Sequence, residues 1–134
     1  MFDLKPATQM TFISKTDYTS YKRYCKTLNL EEDPELIREY RKVHAPGAVW
    51  PEITQGMIEV GILDMEIYIL GTRLFMIMDT IPGFDHDRDM ARLACKPRQS
   101  EWEAFVSGFQ KTSSEATADE KWQLMERIYK LDRK

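Results

Sequence analysis

The first part of the apolar pattern predicts a strand followed by a helix. Residues 21–30, YKRYCKTLNL, are rich in aromatic and β-favouring residues, which is typical of a strand. Asp33 can cap a helix, and Pro34 suits the first helical position because no N–H is needed there. Apolar residues then recur at helical spacing as far as His44, and the Pro-Gly pair at 46–47 ends the helix.

The middle of the chain predicts a second helix and a β-hairpin. The helix begins at Pro51, and Gly61 is a suitable stop. Two apolar runs follow, ILDMEIYIL and RLFMIMD, with Gly71 and Thr72 between them. Two apolar runs around a short loop that contains glycine predict a hairpin.

The last third predicts two more helices and an ambiguous tail. Residues 85–96, DHDRDMARLACK, favour a helix because aspartates are stabilising at a helix N-terminus. Another helix is predicted to start at Pro97, and the polar segment 111–120 is predicted to be a loop. The tail at 121–134 fits a helical spacing and half fits an alternating strand, so periodicity leaves both structures open.

The order of these elements indicates the fold class. If the tail is a strand, the order is βαββαβ, the α+β arrangement called ferredoxin-like. Helices then cover one face of the sheet, yet both faces of the predicted hairpin carry large apolar side chains. We therefore expect a homodimer in which two sheets meet and close an α/β barrel around a cavity. Residues 1–19 have weak periodicity and are interpreted as an N-terminal extension to a single domain over 20–134.

Composition and charge narrow the class of protein. The 134 residues suit one domain, and the net charge of −3 comes with no basic run, which disfavours nucleic acid as a partner. No apolar run approaches the ~20 residues that span a bilayer, so no membrane partner is expected. Cys25 and Cys95 lie in apolar-patterned segments and are expected to be buried free thiols, which fits a reducing, cytoplasmic location.

His44 and Tyr40 are the first candidates for chemistry. They are i,i+4 neighbours on the predicted helix. Histidine titrates near neutrality, so the pair can supply acid–base chemistry beside a hydroxyl group, although the helix macrodipole alone also favours a terminal histidine. Trp50 and Trp102 can stack on sugar rings or belong to the core.

Polar residues elsewhere give weaker signals. Asp64, Glu66 and Tyr68 share one strand face, where they can line a polar pocket or pair with basic residues of covering helices. The acidic run at 85–89 lacks the glycine and glutamate positions of a calcium loop. The two histidines also lack the spacing of paired ligands, so we expect no metal site.

Several of these motifs occur together in one known family. Tyr40-x-x-x-His44, the WPE triplet at 50–52, the hairpin GILDMEIYILGTRLFMIM and PRQSEW at 97–102 resemble the L-rhamnose mutarotase family. The resemblance implies a ferredoxin-like subunit that dimerises into a barrel, with a monosaccharide inside and the tail as a strand. It also implies an isomerase that interconverts the α and β anomers of a 6-deoxy-L-hexose with no cofactor or metal.

The resemblance assigns roles to residues of the predicted site. His44 matches the family's acid, which delivers a proton to the ring oxygen of the sugar. Tyr40 matches a tyrosine that holds a sugar hydroxyl, and Trp102 matches the second of two paired tryptophans, which would face the apolar side of the ring. The base is left open among Asp64, Glu66, Glu101 and a bound water.

Three departures from the family concern the sugar. The link between the histidine and Trp50 is longer here, the hairpin tyrosine falls on Met65, and the first of the paired tryptophans falls on Glu101. Together they indicate a sister branch associated with L-fucose, with Trp50, Met65 and Glu101 as further substrate-binding candidates. Glu101 can accept hydrogen bonds from sugar hydroxyls or can point to solvent.

Two other functions remain open from the residues alone. Haem-binding and quinol-oxidising monooxygenases share the dimeric barrel, and a fold does not by itself fix a reaction. The second of these is a sugar-binding module without catalytic activity, which would bind a sugar and leave the rate of anomer exchange unchanged.

Overall fold

The computed structural model describes residues 20–111 and 121–133. The predicted extension at 1–19 lies outside them, as does all but the first residue of the loop predicted at 111–120. The elements are β1 Lys22–Asn29, α1 Pro34–Val43, α2 Pro51–Glu59, β2 Ile62–Leu70, β3 Arg73–Thr80, α3 His86–Ala94, α4 Gln99–Ser107 and β4 Gln123–Leu124.

The strands form one antiparallel sheet with the order β2-β3-β1-β4. This is the strand order of the βαββαβ arrangement, so the ferredoxin-like α+β prediction is confirmed. The predicted hairpin is β2 and β3, and Gly71 takes a φ of +60° in the turn between them. A positive φ costs glycine little because it has no Cβ, which explains the glycine at this position.

Two helices begin at an aspartate cap, of which the cap at Asp33 was predicted. The Asp33 side chain accepts a hydrogen bond from the Glu35 N–H at 2.9 Å, and Pro34 occupies the first position of α1. Asp85 accepts from the Arg88 N–H at 3.0 Å in the same way at the start of α3. Each cap satisfies a backbone donor that the first helical turn leaves unpaired.

The start of the fourth helix was predicted wrongly. The helix begins at Gln99 rather than at Pro97, because Arg98 between them takes a left-handed φ of 62°. The Arg98 guanidinium lies 4.2 Å above the Trp50 ring and 3.7 Å from a Glu52 carboxylate oxygen. These tertiary contacts favour the left-handed conformation of Arg98, although the local sequence favours a helix at this position.

The tail forms a strand over a much shorter stretch than expected. β4 is two residues long and pairs with Lys26 and Thr27 of β1, and one further backbone bond joins Met125 N–H to the Cys25 carbonyl at 2.8 Å. Residues 125–133 have no regular secondary structure.

The two cysteines differ in exposure. Both are free thiols, as predicted, but Cys25 is half-buried and Cys95 is exposed, so the expectation that both are buried was wrong. Cys95 is the C-terminal cap of α3, where the apolar spacing that suggested burial has already ended. None of the helices in the described part of the chain is both long and apolar enough to cross a membrane.

The two faces of the sheet carry different residues. The inner face packs against the helices and contributes Lys26, Met76 and Met78, with relative exposures of 2%, 6% and 0%, to the interior of the subunit. The outer face carries Tyr68, Phe75 and Ile77 among others, and these stay half-buried. The core and the cavity described below therefore lie on the helical side of the sheet.

Candidate active site

A cavity of about 340 Å³ lies between the inner face of the sheet and the helices. Met65 and Ile67 of β2 and Met76 and Met78 of β3 form its apolar floor. Side chains from all four helices form the opposite wall, and among them are the predicted pair Tyr40 and His44 and the predicted Trp102.

His44 caps the C-terminal end of α1 and lies against two aromatic rings. Its ring centroid is 4.2 Å from that of Tyr40 and 5.5 Å from that of Trp102. Its Nδ1 atom lies 2.9 Å from the Tyr40 carbonyl oxygen. A carbonyl oxygen only accepts, so Nδ1 carries the hydrogen, and in the neutral ring Nε2 is the atom that can take up a proton.

The burial of His44 sets its charge. Burial lowers the pKa of the imidazole below its usual 6.5, and the hydrogen bond to the Tyr40 carbonyl offsets this effect only in part. His44 is therefore neutral at pH 7 and presents a basic Nε2 atom. A ring in this state can accept a proton from a hydroxyl group and then donate it as an imidazolium.

Tyr40 is a hydrogen-bond donor rather than a base. Its side chain is 4% exposed, and this burial raises the pKa of the phenol to about 12, against the lowering effect of a hydrogen bond from Gln110. The phenol is therefore protonated at physiological pH. Since the Gln110 amide donates to the phenol oxygen, the Tyr40 O–H can donate to a second acceptor.

Of the two predicted tryptophans, only Trp102 lines the cavity. Trp50 lies behind it, edge-on at a centroid distance of 5.1 Å, and stacks on Phe105 at 5.7 Å with the Arg98 guanidinium on its other side. Trp50 therefore supports Trp102 in this subunit and has no place in the cavity wall.

The other predicted residues divide in the same way. Met65 lines the cavity, whereas the Glu101 side chain is 63% exposed and lies 3.6 Å from Arg98, away from the lining residues. Asp64 and Glu66 lie on the outer face of the sheet and accept hydrogen bonds from within their own strand. None of these three carboxylates is placed to act as the base in the cavity.

Sequence reasoning missed a set of buried polar groups. The cavity is also lined by five side chains that are at most 6% exposed: Lys26, Gln99, Glu103, Gln110 and Lys121. Two of them, Gln99 and Glu103, alternate with Trp102 and Val106 on the buried face of α4. Polar residues at i,i+4 on an otherwise apolar helix face were the signal that could have found them.

Glu103 connects several of these groups. The Gln99 amide donates to its carboxylate over 2.8 Å, and the Lys121 ammonium donates to its backbone carbonyl over 2.5 Å. Burial lowers the pKa of the Lys121 ammonium, although the negative charge of Glu103 acts in the opposite direction. Within residues 20–111 and 121–133, no group of three or more His, Cys, Asp or Glu side chains is placed to hold a metal ion.

Comparison with known proteins identifies the family. The sequence profile of the L-rhamnose mutarotase family matches residues 23–131. An L-fucose mutarotase of Xanthomonas campestris is 38% identical over 112 residues, which cover 84% of this chain and 90% of that protein. A UPF0734 protein of Dictyostelium discoideum is 35% identical over 120 residues, which cover 87% of this chain and 94% of that protein.

The fold has a match among solved structures. The crystal structure of an L-rhamnose mutarotase from Formosa agariphila superposes with a TM-score of 0.56, covering 83% of this chain and 99% of that one, at 14% identity. The chain belongs to the L-rhamnose mutarotase family, which makes it a sugar mutarotase and a carbohydrate isomerase. The resemblance inferred from its motifs is confirmed.

Proposed function

We propose that this member of the L-rhamnose mutarotase family interconverts the α and β anomers of a 6-deoxy-L-hexose in the cavity beside His44. The observation that carries the proposal is the hydrogen bond from His44 Nδ1 to the Tyr40 carbonyl, which leaves Nε2 for proton transfer. The reaction needs such a group, because a proton must leave the anomeric hydroxyl and another must reach the ring oxygen.

In the proposed mechanism one imidazole serves both oxygens. Neutral His44 takes the proton of the anomeric hydroxyl, the C1–O1 bond becomes a carbonyl, and the bond from C1 to the ring oxygen breaks. The imidazolium then gives its proton to the ring oxygen, which is the acid role expected for His44. Both oxygens are bonded to C1, so a small shift of the sugar brings each to Nε2 in turn.

The open-chain aldehyde completes the exchange. Rotation about the C1–C2 bond presents the other face of the carbonyl, and the same steps in reverse close the ring to the other anomer. No atom is gained or lost. A positioned acid–base group of this kind contributes about 10²–10⁴-fold to the rate.

Tyr40 and Trp102 hold the sugar in this proposal. Tyr40 donates its hydroxyl hydrogen to a sugar oxygen, which its raised pKa of about 12 permits throughout the physiological range. Trp102 supplies an aromatic surface at the cavity wall for the C–H face of the ring. The T-shaped contact of His44 with Trp102 places the proton-transferring ring beside that surface.

We propose L-fucose as the preferred sugar over L-rhamnose. Support comes from the 38% identity to an L-fucose mutarotase and from Met65, which lines the cavity where the resemblance places a tyrosine. The two sugars differ in hydroxyl stereochemistry, and a site that hydrogen-bonds each hydroxyl rejects the wrong epimer. Glu101, the other departure, does not line the cavity, so the proposed preference does not rest on it.

Saturation-difference NMR at the anomeric proton tests this proposal. The protein is mixed in turn with L-fucose, L-rhamnose and their D counterparts, and the exchange rate is compared with that in buffer. We expect acceleration for the L sugars, with L-fucose ahead of L-rhamnose. A sugar that binds without faster exchange would indicate a binding module, and acceleration confined to D sugars would contradict the assignment.

We further propose that two copies associate through the outer face of the sheet. Tyr68, Phe75 and Ile77 lie half-buried on that face, and the tail after β4 carries Ile128 and Tyr129 with relative exposures of 91% and 74%. Large exposed apolar side chains close together favour association. The dimer proposed here would cover this face and leave the cavity within each subunit.

A further inference from the structure

Two buried amide oxygens in the cavity wall have no hydrogen-bond partner within the described residues. They are the Oε1 atoms of Gln99, on α4, and of Gln110, which follows that helix. Each residue is 4% exposed and lines the cavity. Buried polar atoms are nearly always paired, and a ligand that carries donors and shifts these two side chains toward the cavity would pair both oxygens.

The contacts of each amide fix which of its atoms is the acceptor. Gln99 lies 2.8 Å from the Glu103 carboxylate, which only accepts, so the nitrogen faces Glu103 and the oxygen faces elsewhere. In Gln110 the Oε1 atom is the one without a partner, and the lowering effect of Gln110 on the pKa of Tyr40 agrees with donation by its nitrogen. In both residues the remaining atom is a carbonyl oxygen.

The neighbouring groups hold these amides in place. Glu103 binds the Gln99 nitrogen, and its own backbone carbonyl accepts from the Lys121 ammonium at 2.5 Å. Tyr40 is tied to Gln110 on one side and packs against the His44 ring on the other. Both amides therefore belong to side chains that line the same cavity as the histidine that we propose transfers the proton.

We propose that Gln99 and Gln110 are specificity-determining residues whose amide oxygens each accept a hydrogen bond from a ring hydroxyl of the sugar. This inference rests on the proposed function and deepens it. A sugar with both hydroxyls in reach satisfies the two oxygens, while an analogue without one leaves an acceptor buried and unpaired. Sites built around hydroxyl groups reject such analogues strongly.

The unmodified protein provides the first test. Binding of the preferred sugar and of its monodeoxy analogues is measured by calorimetry, which does not depend on anomer exchange. We expect two ring positions at which loss of the hydroxyl weakens binding about ten- to hundredfold. Analogues that all bind as tightly as the parent sugar would overturn the inference, as would a protein that binds no sugar.

Two variants assign the positions to the residues. Gln99→Met and Gln110→Met keep side-chain length and remove the amide oxygen. Each is expected to weaken binding of the parent sugar about ten- to hundredfold and to abolish the penalty for one deoxy position. A structural role alone would leave that deoxy penalty unchanged, which is the result that would contradict the assignment.

Gln55→Met is the matched control. Gln55 lies on the exposed side of α2 and donates to Glu59 over 3.0 Å, the same i,i+4 pairing as Gln99 with Glu103. Its loss is expected to leave sugar binding and every deoxy penalty unchanged. Thermal unfolding shows whether the cavity variants are folded, and if they are not, the deoxy series on the unmodified protein decides.

The two proposals fail in different ways. Binding that depends on Gln99 and Gln110 without faster anomer exchange would refute the mutarotase mechanism and support the hydroxyl-binding role. Faster exchange together with parent-like binding in both methionine variants would refute only the role of the two glutamines.

Discussion

The charge of His44 is decided by two opposing effects at the end of α1. The helix macrodipole favours a positive charge at a C-terminus, which was the alternative explanation for a histidine at this position. Burial against Tyr40 and Trp102 acts in the other direction and outweighs the hydrogen bond to the Tyr40 carbonyl, so the pKa of His44 is lowered. Packing therefore favours the neutral form of His44 at this helix end.

The pH dependence of anomer exchange tests this assignment. The proposed cycle starts from neutral His44, whose pKa is below 6.5, so activity is lost as pH falls through that pKa and is constant above neutrality. Tyr40, with a pKa of about 12, adds no loss in the mildly alkaline range. The measurement is kcat/KM from about pH 5 to about pH 8, corrected for the buffer rate. A profile that rises toward acid pH would contradict it.

The sequence predicted only some of the residues that line the site. Tyr40, His44 and Trp102 were found through motifs, because their spacing matches a family pattern. Gln99 and Gln110 were missed because polar residues are expected at the surface until the packing of α4 and of the segment after it is known. Their burial depends on the sheet strands that line the same cavity, and these strands are distant in sequence from both.

At the scale of elements, capping and turn residues predicted where most helices and the hairpin turn begin, but they did not predict how long each element is. Asp33 and Asp85 cap their helices through contacts within four residues, so the sequence alone is sufficient. The start of α4 depends on Arg98, whose left-handed conformation is held by Trp50 from another helix. The length of β4 depends on where the tail leaves β1, since only Lys26 and Thr27 of β1 pair with it, and periodicity does not contain this contact.

At the scale of the whole molecule, the two sides of the sheet differ, and we propose that a second copy covers the outer one. The helices occupy the inner face and enclose the cavity, while the outer face and the tail carry apolar side chains that include Ile77 and Ile128. An isologous contact would pair the outer faces of two subunits related by a two-fold axis, and it would bury the apolar side chains of both faces. The cavity would then be complete in each subunit, with the dimer contact behind its floor.

We predict a dimer of twice 15.8 kDa in dilute solution, measured by light scattering after size exclusion. Ile77→Lys places a charge on the outer face and is expected to give a monomer, because a buried unpaired charge is costly. Ile58→Lys is the matched control, since Ile58 is 60% exposed on α2. A monomeric parent with full activity would contradict the proposed assembly.

The most direct test of the central claim is anomer exchange in His44→Gln. Glutamine retains hydrogen bonding but does not titrate near neutrality, so the proton transfer is lost while the fold is kept. We predict that saturation-difference NMR will show exchange about 10²–10⁴-fold slower than in the parent. His86→Gln, which changes the other histidine outside the cavity wall, should leave the rate unchanged. A folded His44→Gln variant with exchange within a few-fold of the parent would show that His44 is not the proton-transferring residue.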